Sequence, residues 1–270
     1  MSKSIYYLLV LTSVGAILLP LRGRSERLAN SATPVLIELF TSEGCSSCPP
    51  ADRLLRAIEK EGMQGAEVIV LSEHVDYWDY LGWRDPFSSA QFSKRQQDYS
   101  RLFRNNGVYT PQMVINGRVE FVGNSGSLAA KEIRNAIGRP VATVRVGPVA
   151  IETPEGGKSV ATVQLAVGDL PQMSAHDELE VMLAVTETGL RSKPRTGENS
   201  GAALEHTGVV RTLVKAGRVE APGFAAKARV TLDPAWHRQS LRLVAFVQEK
   251  KSRIVWGAAQ AALEPSTPQF

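Results

Sequence analysis

The two cysteines of the chain stand three residues apart, in Cys45-Ser46-Ser47-Cys48, between a strand-like and a helix-like segment. Upstream, Val35-Leu36-Ile37-Glu38-Leu39-Phe40 is an apolar run of strand length that ends in Thr41-Ser42-Glu43-Gly44. Downstream, Pro49 and Pro50 open a segment in which Leu54, Leu55 and Ile58 repeat at helical spacing. A first cysteine at a helix N-terminus meets unpaired N–H groups and the positive end of the dipole, which favour its thiolate. A second cysteine one turn on can attack a mixed disulfide formed on the first. A structural staple gains little from so short a loop, because closing it removes little unfolded-state entropy. The pair therefore reads as a redox or thiol-binding site, with Cys45 the nucleophile and Cys48 the resolving thiol; an inert small disulfide is the alternative.

With 270 residues, the chain has room for one large or two ordinary domains. The net charge of +4 is small and the basic residues are scattered. No basic face with aromatic or motif support marks a nucleic-acid partner. Residues 1–31 begin with Lys3 and an apolar stretch from Tyr6 to Leu19, the pattern of a secretory signal peptide or an N-terminal anchor. That segment implies a folded part facing an oxidising compartment, the periplasm or the exterior of a bacterium, with membrane contact only if the segment stays uncleaved.

Residues 33–138 alternate strand and helix patterns in the order β-α-β-α-β-β-α, a mixed sheet with flanking helices. Asn116-Gly117 between two apolar runs predicts a hairpin. Within the polar and aromatic insertion 74–106, Phe92, Gln96, Tyr99 and Phe103 have helical spacing. From 141 to 262 six alternating, β-branched runs separated by Gly, Pro and Asp clusters predict an all-β sandwich, and 263–270 a disordered tail.

The first of these segments resembles the thioredoxin superfamily. The resemblance rests on Cys45-Ser46-Ser47-Cys48 after a strand and on Thr110-Pro111 just before a hairpin strand. It implies a thioredoxin-like fold, a cis Thr110–Pro111 bond against the dithiol, and a Thr110 backbone that aligns an extended substrate. More narrowly, four stretches resemble the secreted bacterial family catalogued as domain of unknown function 1223: Phe40–Asp52, Trp78-Asp79-Tyr80-Leu81-Gly82-Trp83, Arg95-Gln96 and Tyr109-Thr110-Pro111-Gln112-Met113. Unlike thioredoxin itself, the chain has no Trp before Cys45 and has Ser-Ser between the cysteines.

Other residues gather around this pair in the reading. Glu43 places a carboxylate two residues from Cys45, which disfavours the thiolate. Pro49 and Pro50 remove two first-turn donors, so a mild acid shift is expected. His74, past the end of an apolar strand, reads as a proton shuttle or a third soft ligand for the two thiols, and equally as a loop histidine bonded to backbone. Trp78, Tyr80, Trp83 and Phe87 read as a small core of the insertion, with an apolar platform for an unfolded partner as the alternative. The polar loop 195–211 is expected near the dithiol face, with Glu198 or His206 close to it. The leading function is a thiol–disulfide oxidoreductase acting on protein thiols or disulfides with an unidentified redox partner and needing no cofactor or metal. The alternative is a non-enzymatic binding module, for instance one holding Cu(I) with Cys45, Cys48 and His74.

Overall fold

The computed structural model describes residues 32–171, 178–220 and 223–263. The expected signal or anchor segment and the tail from 264 onward lie outside the described residues. Among those described, thirteen strands accompany three α-helices.

Strand β1 (Thr33–Thr41) is buried over its last seven residues. Its odd residues Val35, Ile37 and Leu39 pack with Ala51 and Leu55 of α1 (Pro49–Glu61) and Ala129 and Ile133 of α3 (Gly126–Ala136). Its even residues Leu36 and Phe40 enter the opposite layer, where Phe40 meets Tyr99 of α2 (Ala90–Phe103) edge to face. Covered on both faces, β1 reads as a continuous apolar run, because period-two alternation is erased when neither face is wet. It pairs in parallel with β2 (Ala66–His74) and antiparallel with β3 (Gln112–Ile115), which turns into β4 (Val119–Val122). Asn116 and Gly117 both take positive φ, as a two-residue hairpin turn with right-handed twist requires.

The later strands do not build a separate sandwich. Strand β10 (Val209–Arg218) pairs in parallel with β2 at Val209 and Ser72, and antiparallel with β7 (Leu179–Glu187). Strands β12 (Leu241–Glu249) and β13 (Val255–Ala262) continue outward from β7. The outcome is one mixed eight-stranded sheet of order β13-β12-β7-β10-β2-β1-β3-β4. A thioredoxin-like α/β domain followed by an all-β sandwich is therefore corrected to a sheet-dominated fold, whose largest sheet runs through both parts of the sequence. The described residues from Ala32 onward form one compact unit.

A second sheet, β11-β6-β5 (β5 Thr143–Glu152, β6 Ser159–Gly168, β11 Phe224–Leu232), packs on the later strands of the large sheet. Val163, Leu165 and Val230 face Val181, Leu183, Val185, Leu243 and Val247. On the opposite face of the large sheet, Met182, Ala184, Val244 and Phe246 pack with Phe92 of α2. Strand β7 is thus buried at every position. A short hairpin, β8 (Leu190–Ser192) with β9 (Leu204–His206), projects from this part, and β9 lies against α1.

Candidate functional site

The cysteine pair lies where β1 hands over to α1. The Cys45 N–H donates to Ser42 O (3.2 Å) and the Cys48 N–H to Cys45 O (3.1 Å), while Ala51 and Asp52 donate to Cys48 O. Cys48 is the N-cap of α1 and no side chain caps it. The two cysteines form a disulfide. Both are nearly inaccessible, Cys45 at 2% and Cys48 at 0% relative exposure, whereas Ser46 and Ser47 between them are exposed.

Thr110 stands beside the pair, with its carbonyl oxygen 3.8 Å from Cys45 Sγ. The Thr110–Pro111 bond is cis, as expected. The indole N–H of Trp78 donates to Thr110 Oγ1 (2.8 Å). A Cβ on Gly44 would lie 3.0 Å from Trp78 Cβ, so glycine is what lets the turn before Cys45 pass beneath Trp78. Trp78 thereby ties together the residue before Cys45 and the residue before Pro111.

Glu43 is buried and held from three sides. Its carboxylate accepts from the Trp83 indole (2.8 Å) and faces His206 Nε2 at 3.1 Å, and its backbone N–H donates to Asp85 Oδ2 (2.8 Å). His74 closes β2 opposite Thr41 in the β1–β2 register. It bonds Asp85 Oδ2 through Nδ1 (2.7 Å), not backbone. Its ring meets Phe87 and His206 edge to face, with centroids 5.3 and 4.9 Å away. Burial opposes a charged imidazole at His74, but the Asp85 carboxylate outweighs it and the pKa is raised. Burial pushes the other way at Asp85; His74 and the N–H groups of Glu43 and Phe87 overcome it, and that carboxyl is lowered. His74 Nε2 and His206 Nδ1 are buried and make no hydrogen bond to the protein. Among the described residues, no group of three or more His, Cys, Asp or Glu side chains is arranged to hold a metal ion.

Asp52 was not singled out by sequence reasoning. It lies one turn past Cys48 on the buried side of α1, accepts from Thr41 Oγ1 (2.9 Å), and has its pKa raised by burial against the attraction of His206 and His74. An acid in a first helical turn ordinarily reads as a dipole partner in solvent; only its place four residues after Cys48 hinted otherwise. Asp52 also lines a cavity of about 170 Å³ with Arg53, Arg56 and Glu205, where Arg56 and Glu205 form an ion pair. Asp85, in Arg84-Asp85-Pro86, carried no signal at all. The four aromatics do not make a core of their own. Trp78 and Trp83 donate to Thr110 and Glu43, Phe87 packs on the two histidines, and Tyr80 is exposed.

The loop between β8 and β9 reaches this site, as the sequence led us to expect. Glu198 accepts from the Ser46 N–H (2.9 Å). Asn199 Nδ2 donates to both Glu43 O (2.8 Å) and Cys45 O (2.9 Å). His206 ends β9 against Glu43.

No curated protein matches the chain. Among solved structures it is similar to an X-ray structure of a protein from Agrobacterium tumefaciens, at 24% identity and a TM-score of 0.64, over 89% of this chain and 99% of that one. It is also similar to HBP35 of Porphyromonas gingivalis, at 20% identity and a TM-score of 0.63, over 88% of this chain and 79% of that one. At these identities the likeness is one of fold alone. The sequence itself matches a family described as protein of unknown function (DUF1223) over residues 36–248, most of the described chain, and the chain belongs to that family.

Proposed function

We propose that the Cys45–Cys48 pair is a redox-active dithiol that exchanges with disulfides of other proteins. The observation that carries this reading is the placement of the pair: a disulfide at the start of α1, with Cys45 Sγ 3.8 Å from the Thr110 carbonyl beside cis Pro111. A backbone carbonyl free of the sheet ladder at that distance is suited to align an extended substrate strand along Cys45. The same exchange chemistry is what the resemblance of Cys45-Ser46-Ser47-Cys48 and Thr110-Pro111 to the thioredoxin superfamily implies.

In the reduced protein the Cys45 thiolate attacks one sulfur of a substrate disulfide, forming a Cys45–substrate disulfide and expelling the other sulfur as a thiolate that takes up a proton. Cys48 then loses its proton and attacks Cys45 Sγ; the internal disulfide forms and the second substrate thiol leaves. The substrate gains two electrons and two protons, and the protein dithiol loses them. A partner dithiol, itself oxidised to a disulfide, returns the protein to its starting state. The proposal includes an oxidising compartment, the periplasm or exterior, as the place of action.

Trapping tests it. Cys48→Ser protein, reduced and mixed with insulin, should accumulate a mixed disulfide through Cys45 that the Cys45→Ser protein does not form. Wild-type protein should speed insulin reduction by dithiothreitol. No adduct and no acceleration would remove the oxidoreductase reading.

A further inference from the structure

Both cysteines are nearly inaccessible, and one polar segment bonds to the backbone on either side of Cys45. Residues 193–203 join β8 to β9 and run over the cysteine loop. Asn199 uses its amide to bridge Glu43 O and Cys45 O, and Glu198 takes the Ser46 N–H. Farther along, Thr196 Oγ1 donates to Gly82 O (2.5 Å). Glu43 O, Cys45 O and the Ser46 N–H are backbone groups at and beside Cys45, the kind an incoming extended peptide would pair with. With the segment seated, Cys45 is 2% and Cys48 0% exposed.

The same segment is built to move as a unit. The Gly201 N–H donates to Pro194 O (2.8 Å), Ser200 Oγ to Arg195 O and the Ala202 N–H to Asn199 O, so the loop closes on itself in the manner of an Ω-loop. Gly197 and Gly201 both have φ of +78°, which side-chain-bearing residues adopt poorly. Arg195, Thr196, Glu198 and Ser200 are exposed. Pro194 is buried and anchors one end, but the contacts from Arg195 to Ser200 are polar ones at the surface, the kind that hold segments at the low end of local stability.

We propose that residues 194–201 are a built-in cap that occupies the substrate-docking strip beside Cys45 and must leave before the disulfide can exchange with another protein. This rests on the thiol-exchange reading for its biological sense. The motion itself is measurable without any catalytic activity.

The test uses oxidised full-length protein. The Cys45–Cys48 disulfide is reduced by excess dithiothreitol, and samples are quenched with an alkylating agent and read by mass shift. The Glu198→Ala/Asn199→Ala variant removes three hydrogen bonds and should be reduced at least about tenfold faster than wild type. Asn199→Asp keeps the shape but turns acceptor oxygens toward two carbonyls, and should also be faster. It serves as the second variant should the double one fail to fold, which circular dichroism reports. In parallel, insulin reduction is assayed. Faster disulfide reduction without insulin activity would keep the cap and sink the oxidoreductase reading. Rates within twofold of wild type in a folded variant would overturn the cap whatever the insulin assay gives.

Discussion

At the scale of single residues, the site is a set of buried charges arranged around one loop. His74 and Asp85 are both inaccessible and 2.7 Å apart. The raised pKa of His74 means that this pair's stabilisation is complete below the ordinary histidine value of 6.5 and is lost as pH rises through the higher folded value. The lowered pKa of Asp85 means that its share is present above 3.8 and disappears as pH falls through the folded value. The stability difference between wild type and Asp85→Asn, measured by urea unfolding, should therefore be largest between those limits and shrink above pH 6.5. A pH-independent difference would show that the pair is not ionic. Asp52 behaves oppositely. Burial disfavours its ionised form, so Asp52→Asn, which can still accept from Thr41, should leave the melting temperature at pH 7 unchanged or raised; a fall of several degrees would mean that the charge is needed. Glu43→Gln should lower the pKa of Cys45 in reduced protein, by less than about one unit (~1.4 kcal/mol) because Trp83 and His206 already share the carboxylate. Alkylation rate against pH reads it, and a raised value would mean that Cys45 does not sense that charge. Cys45, Cys48, Thr110 and Pro111 were legible because their chemistry is local to short motifs. Asp52 and Asp85 were not, because burial of an acid is decided by which distant histidine it meets.

At the scale of elements, α2 is fastened to the sheet by charge as much as by apolar packing. Arg95 donates through Nε to Glu38 (2.5 Å) and through a terminal nitrogen to Tyr99 and Gln248, while Tyr99 also donates to Glu38. Burial raises the pKa of Glu73 beside this group well above the ordinary carboxylate value, against the pull of Arg95. Truncating Arg95 leaves Glu38 buried without its cation, so Arg95→Ala should cost about 3–5 kcal/mol in urea unfolding. Arg95→Lys should recover only part, since one ammonium cannot reproduce the planar fork. A loss under 1 kcal/mol for Arg95→Ala would show that the network is not what docks the helix. The helical spacing of Phe92, Gln96, Tyr99 and Phe103 was readable, and so were the six β-branched runs of the later half. Strand β13 was not, because Gly257, Ala258, Ala259, Ala261 and Ala262 have little β-propensity; pairing with β12 holds it in place.

At the scale of the whole molecule, the continuity of the large sheet was invisible in the sequence. Strand β2 meets β10 at Ser72 and Val209, two segments with no local signal that they are partners. Apolar runs covered on both faces are equally consistent with an edge or a centre. The consequence is that residues 33–138 alone would bare the β2 edge and the apolar residues Leu36, Ile69 and Leu71, which now pack with Val210, Leu213 and Phe246. That fragment should aggregate or bind a hydrophobic dye, and the full chain should unfold in one transition by both fluorescence and circular dichroism. A soluble fragment as stable as the parent would mean that the two parts of the sheet are energetically separate.

A redox role for Cys45 and Cys48 stands or falls on how readily their disulfide is reduced, and equilibrium titration against dithiothreitol and glutathione buffers measures this directly. Exchange-active pairs lie between roughly −120 and −270 mV, whereas structural disulfides of secreted proteins lie below about −300 mV. A potential in the first range is expected here. One below about −300 mV would make the bridge a staple and contradict the proposed function.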